Sequence, residues 1–221
     1  LYEQGMCPQV TYYTRDDSRT LSVAEAISFY QNGLPCEATP EIFSTIEKYV
    51  QRPDFDEVGF GNNHFYFQPT LFQPRESFLD FSGLNNALAK FNIHISEVEP
   101  KEPLNSFSAE HVGRALHFLQ DITQPQHTQR GNFMQKLLDR RLHRAFENFE
   151  AQNIDKYLAN YNGSGADFNG ETFEDLFMHH VKKSQEALPA LRTNYRFWDE
   201  IAQKSVNNLV DATNEFFTLL S

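Results

Sequence analysis

Histidine and carboxylate residues recur at metal-ligand spacing in the middle of the chain. His117 and Asp121 are four residues apart, and His143 and Glu147 repeat this spacing. On a helix, residues four positions apart lie on one face with their side chains close together. His127 lies between the two pairs, behind a proline-containing turn that ends the first helix. Imidazole and carboxylate are ligands that Zn²⁺ uses in open catalytic sites, so these five residues form a candidate metal centre.

The elements that must position these residues are helices. Apolar periodicity, capping residues and helix breakers predict helices over about 21–32, 40–50, 77–91, 107–122, 132–151, 153–161, 171–188 and 195–219. We find no strand-length alternation, no fixed-period repeat and no low-complexity tract. Residues 52–75 are rich in Pro, Gly and Phe and are predicted to form a long loop. The sequence therefore predicts an all-α fold, a single-domain helical bundle over residues 1–221 with a long loop at the metal site.

The charge balance argues against a nucleic-acid surface. The 221 residues include 19 Lys and Arg against 30 Asp and Glu, which gives a formal net charge of −11. Nucleic-acid and anionic-membrane surfaces need clustered Lys and Arg, so we expect no nucleic-acid partner. Bound zinc ions would offset part of the negative charge because each ion is a dication. No run of apolar residues approaches the length of a membrane span, so no transmembrane helix is expected.

The cysteines and the chain start favour an exported protein. Cys7 and Cys36 are the only two cysteines, and they fit a single disulfide in an oxidising compartment. The alternative is two unrelated buried thiols. The chain starts at Leu1 without the basic and apolar regions of a signal peptide, which indicates a processed or trimmed chain. We expect a secreted or periplasmic location.

The segment 117–127 resembles the central motif of the bacterial zinc-dependent phospholipases C. The single-strand-specific zinc nucleases of fungi and plants share this motif. The resemblance is specific because Gln124 and Pro125 stand between the ligand-type residues, as they do in the family. The segment 143–147 resembles the phospholipase branch, since Glu147 stands where the nucleases usually have Asp. Residues 63–66 resemble the His-Phe-Tyr ligand segment of the family, and the whole resemblance runs from about residue 40 to the C-terminus.

The resemblance implies six protein ligands for two zinc ions. The first ion would be held by His64, His117 and Asp121, and the second by His127, His143 and Glu147. A third zinc in the family is held by the amine and carbonyl of an N-terminal Trp, a nearby His and the bridging Asp. This chain has Leu1 at that position and no His before His64. Either Leu1 is not the true start, or Asp16 and Asp17 replace the His, or the third site is lost, so the resemblance implies two or three ions.

The resemblance also implies an Asp followed by an aromatic residue ahead of the first ligand His, acting as a ligand or general base. Asp54 with Phe55 is the nearest equivalent, and Asp56 is the rival because this loop is shorter than usual. Aromatic residues around the predicted ligand would line the substrate pocket and offer a cation–π face to a quaternary ammonium. These residues are Phe55, Phe60, Phe65 and Tyr66.

The remaining histidines are interpreted without a metal. His94 and His111 have no partner at useful spacing, so we expect ordinary surface or hydrogen-bonded core histidines. His179 and His180 are neighbours on a helix, where their side chains point roughly 100° apart. We therefore do not expect both to face one metal ion.

The function implied by the resemblance is hydrolysis of a phospholipid, phosphatidylcholine or a similar lipid, to diacylglycerol and a phosphorylated headgroup. The substrate would be met at a membrane or micelle surface. Two alternatives stay open at this point: a zinc-dependent single-strand nuclease, and a zinc-stabilised lipid-binding protein with impaired catalysis. The oligomeric state is also open, with a monomer expected.

Overall fold

The computed structural model describes residues 11–13, 18–20, 40–57, 64–66, 86–102, 104–128, 133–162, 168–193 and 195–220. Helices dominate these residues, so the predicted all-α fold is confirmed. The described helices are α1 (Pro40–Val50), α2 (Pro53–Asp56), α3 (Asn86–Ile95), α4 (Ser106–Asp121), α5 (Phe133–Ala159), α6 (Phe173–Thr193) and α7 (Trp198–Leu220). Turns of 3₁₀-helix at Pro125–His127 and Tyr195–Phe197 follow α4 and precede α7.

A small hairpin accompanies the helices. Strands β1 (Thr11–Tyr13) and β2 (Ser18–Thr20) pair antiparallel, with Thr11 opposite Thr20. The sequence did not predict them, because three residues are too few to show the alternation that marks a strand. No helix in the described part of the chain is long and apolar enough to cross a membrane.

Several predicted element boundaries are wrong. The segments 132–151 and 153–161 form the single helix α5, because no Pro or Gly interrupts them. Helix α6 continues past Pro189 to Thr193, although proline usually ends a helix by removing a backbone hydrogen bond. Within the predicted loop 52–75, residues 53–56 form the short helix α2. The predicted helix 21–32 and the cysteines lie outside the described residues.

The larger apolar core packs α1, α3, α4, α6 and α7 against one another. Its largest members are fully buried aromatic side chains that include Phe91, Phe118, Phe177 and Phe216. Burying a side chain of this size contributes about 1.5–3 kcal/mol. A second core cluster around Trp198 joins α5 to the end of α6 and the start of α7. The cores therefore hold α4 and α5, which carry the two predicted His/carboxylate pairs, in one helical body.

Gly113 sets how closely α1 and α4 approach each other. A Cβ atom at this position would lie 2.5 Å from the backbone oxygen of Ile46 and 2.9 Å from the Cβ of Tyr49. Only the absence of a side chain permits this approach. The crossing brings the C-terminal end of α1 against the turn of α4 that follows Gly113, where the first predicted metal ligand lies.

Candidate metal centre

The last turn of α4 presents His117 and Asp121 on one face, as their spacing predicts. Nδ1 of His117 lies 2.6 Å from the backbone oxygen of Val50 at the end of α1. A carbonyl oxygen only accepts hydrogen bonds, so Nδ1 of His117 donates there and Nε2 faces the opposite way. Nε2 lies 3.3 Å from Oδ2 of Asp121. A histidine whose Nδ1 donates to a carbonyl is in the usual arrangement of a metal ligand that binds through Nε2.

His64 reaches the same carboxylate from outside the helices. Its Nδ1 lies 2.7 Å from Oδ2 of Asp121 and 2.9 Å from Nε2 of His117. The short segment that carries it is fastened by a backbone hydrogen bond from Tyr66 N–H to the His127 carbonyl at 2.8 Å. The imidazole of His64 also stacks on Phe118, with ring centroids 5.5 Å apart. Two imidazoles and one carboxylate oxygen therefore converge, although His64 is separated from the others by more than fifty residues.

The second predicted group also converges. His127 leaves the 3₁₀ turn, while His143 and Glu147 lie four residues apart on α5. Nε2 of His127 lies 3.2 Å from Nε2 of His143 and 3.3 Å from Oε1 of Glu147. The pair on α5 is closer, with 2.6 Å between Nε2 of His143 and Oε1 of Glu147. The three ligand atoms thus surround a single point.

Asp121 links the two groups. Its Oδ2 is the oxygen that faces His64 and His117, while its Oδ1 lies 3.5 Å from Nδ1 of His127. The carboxylate therefore stands between the two histidine groups, with one oxygen turned to each. This position follows from the turn after α4, which brings His127 back towards the end of the helix that it has just left.

Both carboxylates of the centre are ionised at neutral pH. Burial alone would raise the pKa of Asp121, but the charge of His117 and its hydrogen bond hold that pKa well below its usual range. Burial likewise opposes ionisation of Glu147, yet hydrogen bonds with His127 and His143 lower its pKa to about 2. Burial lowers the pKa of His143, whereas at His117 and His127 the carboxylates outweigh burial and raise it.

The donor set fits a divalent metal ion. Imidazole nitrogens and ionised carboxylate oxygens meet at hydrogen-bond distances, and Nε2 of His64 is buried without a hydrogen-bond partner among the described residues. Four imidazoles and two carboxylates in two adjoining groups match the ligands that Zn²⁺ prefers. A helical bundle builds dinuclear centres in this way, from side chains that face inward on neighbouring helices.

The two candidate bases of α2 have different surroundings. An oxygen of Asp54 lies within 4.8 Å of ligand atoms of His64 and His117, and the side chain is exposed. Asp56 instead accepts two hydrogen bonds of 2.9 Å from the guanidinium of Arg114. Those hydrogen bonds lower the pKa of Asp56. One turn of helix therefore separates the two carboxylates, and Asp54 is the one beside the candidate metal centre.

The residues that hold α2 in place were not predicted from the sequence. Glu57 accepts hydrogen bonds from Arg114 at 2.8 Å and Lys90 at 2.8 Å, and it lies 2.9 Å from Nε2 of His94. This network fastens the end of α2 to α3 and α4, and so fixes Asp54. One signal was available, because Arg114 lies three residues before His117 and hence on the same face of α4.

The predicted substrate aromatics take three different positions. Phe65 is buried, and its ring centroid lies 4.7 Å from that of His127 and 5.5 Å from that of His143. Tyr66 belongs to the larger apolar core, where it lies against Phe177. Phe55 is 73% exposed beside Asp54 and is the aromatic side chain that a substrate can reach. Phe60 lies outside the described residues.

Comparison with known proteins gives one informative likeness. No protein-family model matches the chain, and no curated protein sequence matches it. Among solved structures, the chain is similar to the alpha toxin from Clostridium absonum, with 16% sequence identity and a TM-score of 0.59. The match covers 89% of this chain and 61% of the toxin chain, so this chain spans about three-fifths of the toxin's length. At this identity the likeness shows a shared fold.

Proposed function

We propose that the protein is a zinc-dependent phosphodiester hydrolase that cleaves phosphatidylcholine or a similar phospholipid to diacylglycerol and a phosphorylated headgroup. The observation that carries the proposal is the position of Asp121, with one oxygen towards His64 and His117 and the other towards His127. A carboxylate between two histidine groups suits a two-metal hydrolytic centre. The resemblance of the 117–127 motif to phospholipases C and the fold shared with a clostridial toxin both support the same reaction class.

The chain offers a separate set of ligands to each of two ions. His64, His117 and Asp121 would hold one zinc, and His127, His143 and Glu147 would hold the other. Bound zinc would polarise the phosphoryl oxygens and lower the pKa of a water molecule. Whether a third ion joins them depends on the N-terminal residues, which lie outside the described part of the chain.

The protein's own side chains supply position and proton transfer. Asp54 is exposed beside His64 and His117, so its carboxylate oxygen can orient the attacking water and accept a proton from it. Val50 keeps the imidazole of His117 in one orientation through the Nδ1 hydrogen bond. Phe65 covers one side of His127 and His143 and limits the access of water to them.

The proposal includes a phospholipid partner at a membrane or micelle surface and a secreted or periplasmic protein that acts as a monomer. An acidic chain suits a zwitterionic headgroup better than a polyanion, because the net charge is −11. The exposed ring of Phe55 is available for cation–π contact with a quaternary ammonium.

A single-strand nuclease is the second candidate function. The same exposed ring of Phe55 favours it, since an exposed aromatic side chain beside a metal centre can stack on an unpaired base. A zinc-stabilised lipid-binding protein with impaired catalysis is the third candidate, and it follows if the N-terminal ligands of the family have no substitute here.

One set of assays separates these functions. Zinc content is measured by elemental analysis, and hydrolysis of phosphatidylcholine, phosphatidylethanolamine and single-stranded DNA is measured with and without a chelator. We expect chelator-sensitive release of phosphorylated headgroup, abolished by Glu147→Gln and retained by the exposed control Glu186→Gln on α6. Cleavage of DNA alone would establish the nuclease, and lipid binding without turnover would establish the third candidate.

A further inference from the structure

A third group of histidine and carboxylate side chains lies between α6 and α7. His179 and His180 are neighbours on α6, and Glu215 belongs to α7; one ligand atom of each lies within 4.8 Å of the other two. His180 is fully buried, and Glu215 is 6% exposed. The sequence-based expectation was that neighbouring histidines point apart. Their ring centroids are nevertheless only 5.0 Å apart, at an angle of 89°, which leaves both rings within reach of a carboxylate from α7.

The tautomer of His180 follows from its neighbours. The amide nitrogen of Asn208 donates to Oγ of Ser184 at 2.9 Å and to the His180 carbonyl at 3.2 Å. The amide oxygen of Asn208 is therefore the atom that lies 2.7 Å from Nδ1 of His180, so Nδ1 donates to it. Nε2 of His180 then points at Oε2 of Glu215, 2.8 Å away. His117 shows the same arrangement, with Nδ1 donating to an oxygen and Nε2 facing a carboxylate.

Glu215 has an oxygen left over. Its Oε1 is buried and has no hydrogen-bond partner within the described residues. A buried polar atom without a partner is costly, and it is rare in folded proteins unless an ion or water satisfies it. The neighbouring acid Asp211, one turn earlier on α7, differs: it accepts a hydrogen bond from Tyr161 and one of 3.5 Å from Lys183. Glu215 is thus the acid of this pair that retains a free coordination position.

We propose that His179, His180 and Glu215 form a further zinc site that ties α6 to α7. Two imidazoles and one carboxylate are a three-residue ligand set that Zn²⁺ accepts with water in the fourth position. Asn208 would hold the tautomer of His180, as the oxygen partners of metal-ligating histidines generally do. His179 is only half-buried, so an ion can enter from its side. The proposal does not depend on the proposed hydrolase function, because none of these residues belongs to the candidate metal centre around Asp121.

The test counts zinc ions bound by the full chain. Chelator-stripped protein is loaded with Zn²⁺ and washed, and the metal is measured by elemental analysis for wild type, Glu215→Gln, His179→Asn and Glu147→Gln. We expect Glu215→Gln and His179→Asn each to lose about one zinc per chain relative to wild type, since each removes a ligand of a single site. The double variant Glu147→Gln/Glu215→Gln should lose more zinc than either single variant, because the two sites are separate.

Folding and ion-pair explanations are read in the same samples. Far-UV circular dichroism checks each variant, and the half-buried His179 keeps the test available if Glu215→Gln misfolds. Co²⁺ provides a second probe, because visible absorption at this site should be lost in His179→Asn and retained in Glu147→Gln. If folded Glu215→Gln and His179→Asn both bind as much zinc as wild type, the group is a hydrogen-bonded ion pair and the proposal is wrong.

Discussion

The backbone oxygen of Val50 lies 2.6 Å from Nδ1 of His117, which ties the end of α1 to the first histidine of the candidate metal centre. The hydrogen bond exists because α1 and α4 cross closely at Gly113. Packing between two helices therefore decides which nitrogen of His117 faces Asp121. The following predictions test this relationship and those around it.

Gly113→Ala should separate α1 from α4, because the new methyl group would lie 2.5 Å from a backbone oxygen. We expect the free energy of unfolding to fall by about 1–3 kcal/mol, as for other overpacked contacts, and zinc affinity to fall with it. Urea unfolding measured with and without zinc tests both effects. The exposed Ser106→Ala on the same helix is the control; equal stability of the two variants would contradict the role of Gly113.

His117→Ala should lower the melting temperature of the zinc-loaded protein more than that of the zinc-free protein. Metal binding contributes to the free energy of folding, so a lost ligand removes a stabilisation that depends on zinc. Differential scanning calorimetry with zinc and with a chelator provides the comparison. His111→Ala, on the same helix but outside the centre, should show no such dependence on zinc. A melting temperature that responds to zinc equally in both variants would argue against His117 as a ligand.

Asp54→Asn and Asp56→Asn should have different effects on turnover. Asp54 lies beside His64 and His117, so its loss should lower kcat by about 10²–10⁴-fold, the usual contribution of a general base. Asp56 is held by Arg114, and Asp56→Asn should mainly weaken the attachment of α2. Steady-state kinetics on phosphatidylcholine micelles distinguishes the two. The assignment fails if Asp56→Asn has the larger effect on kcat.

Arg114→Lys should loosen α2 although the charge is kept. The guanidinium bridges Asp56 and Glu57 with three hydrogen bonds, a geometry that an ammonium group cannot reproduce. We expect a loss of about 1–3 kcal/mol in the free energy of unfolding, because Glu57 is largely buried. Chemical denaturation of Arg114→Lys tests this, with Lys182→Arg at an exposed position as the control.

Glu47 should make the protein less stable as the pH rises. Burial raises the pKa of this α1 carboxyl from 4.5 to about 7, so the folded state holds its proton more tightly than the unfolded chain. The resulting stabilisation is complete below pH 4.5 and is lost as the pH rises through 7. Glu47→Gln should therefore raise the free energy of unfolding at alkaline pH by about 1 kcal/mol, a value reduced for solvent screening of a partly exposed group.

The measurement for Glu47 is urea unfolding of wild type and Glu47→Gln at pH values on both sides of the transition. Glu41→Gln, an exposed position on the same helix, is the matched control. A difference between wild type and Glu47→Gln that does not change with pH would exclude titration of Glu47 as the cause.

Local patterns predicted most of the helical framework. The predicted helices 40–50, 107–122 and 195–219 agree closely with α1, α4 and α7, because apolar periodicity and capping act within a few residues. The capping of α4 shows this, since Asn105 accepts hydrogen bonds from the N–H groups of Phe107 and Ser108. The boundary at Pro189 was wrong because tertiary packing keeps α6 helical where local preference would end it.

The sequence by itself determined the pairs His117 with Asp121 and His143 with Glu147, because four residues of α-helix place two side chains on one face whatever surrounds them. Only the tertiary structure decided that Asp54, and not Asp56, stands by the metal centre, and that Glu215 meets His180. Such contacts join different helices, and their geometry depends on how buried faces pack. Spacing along the chain carries no information about that packing.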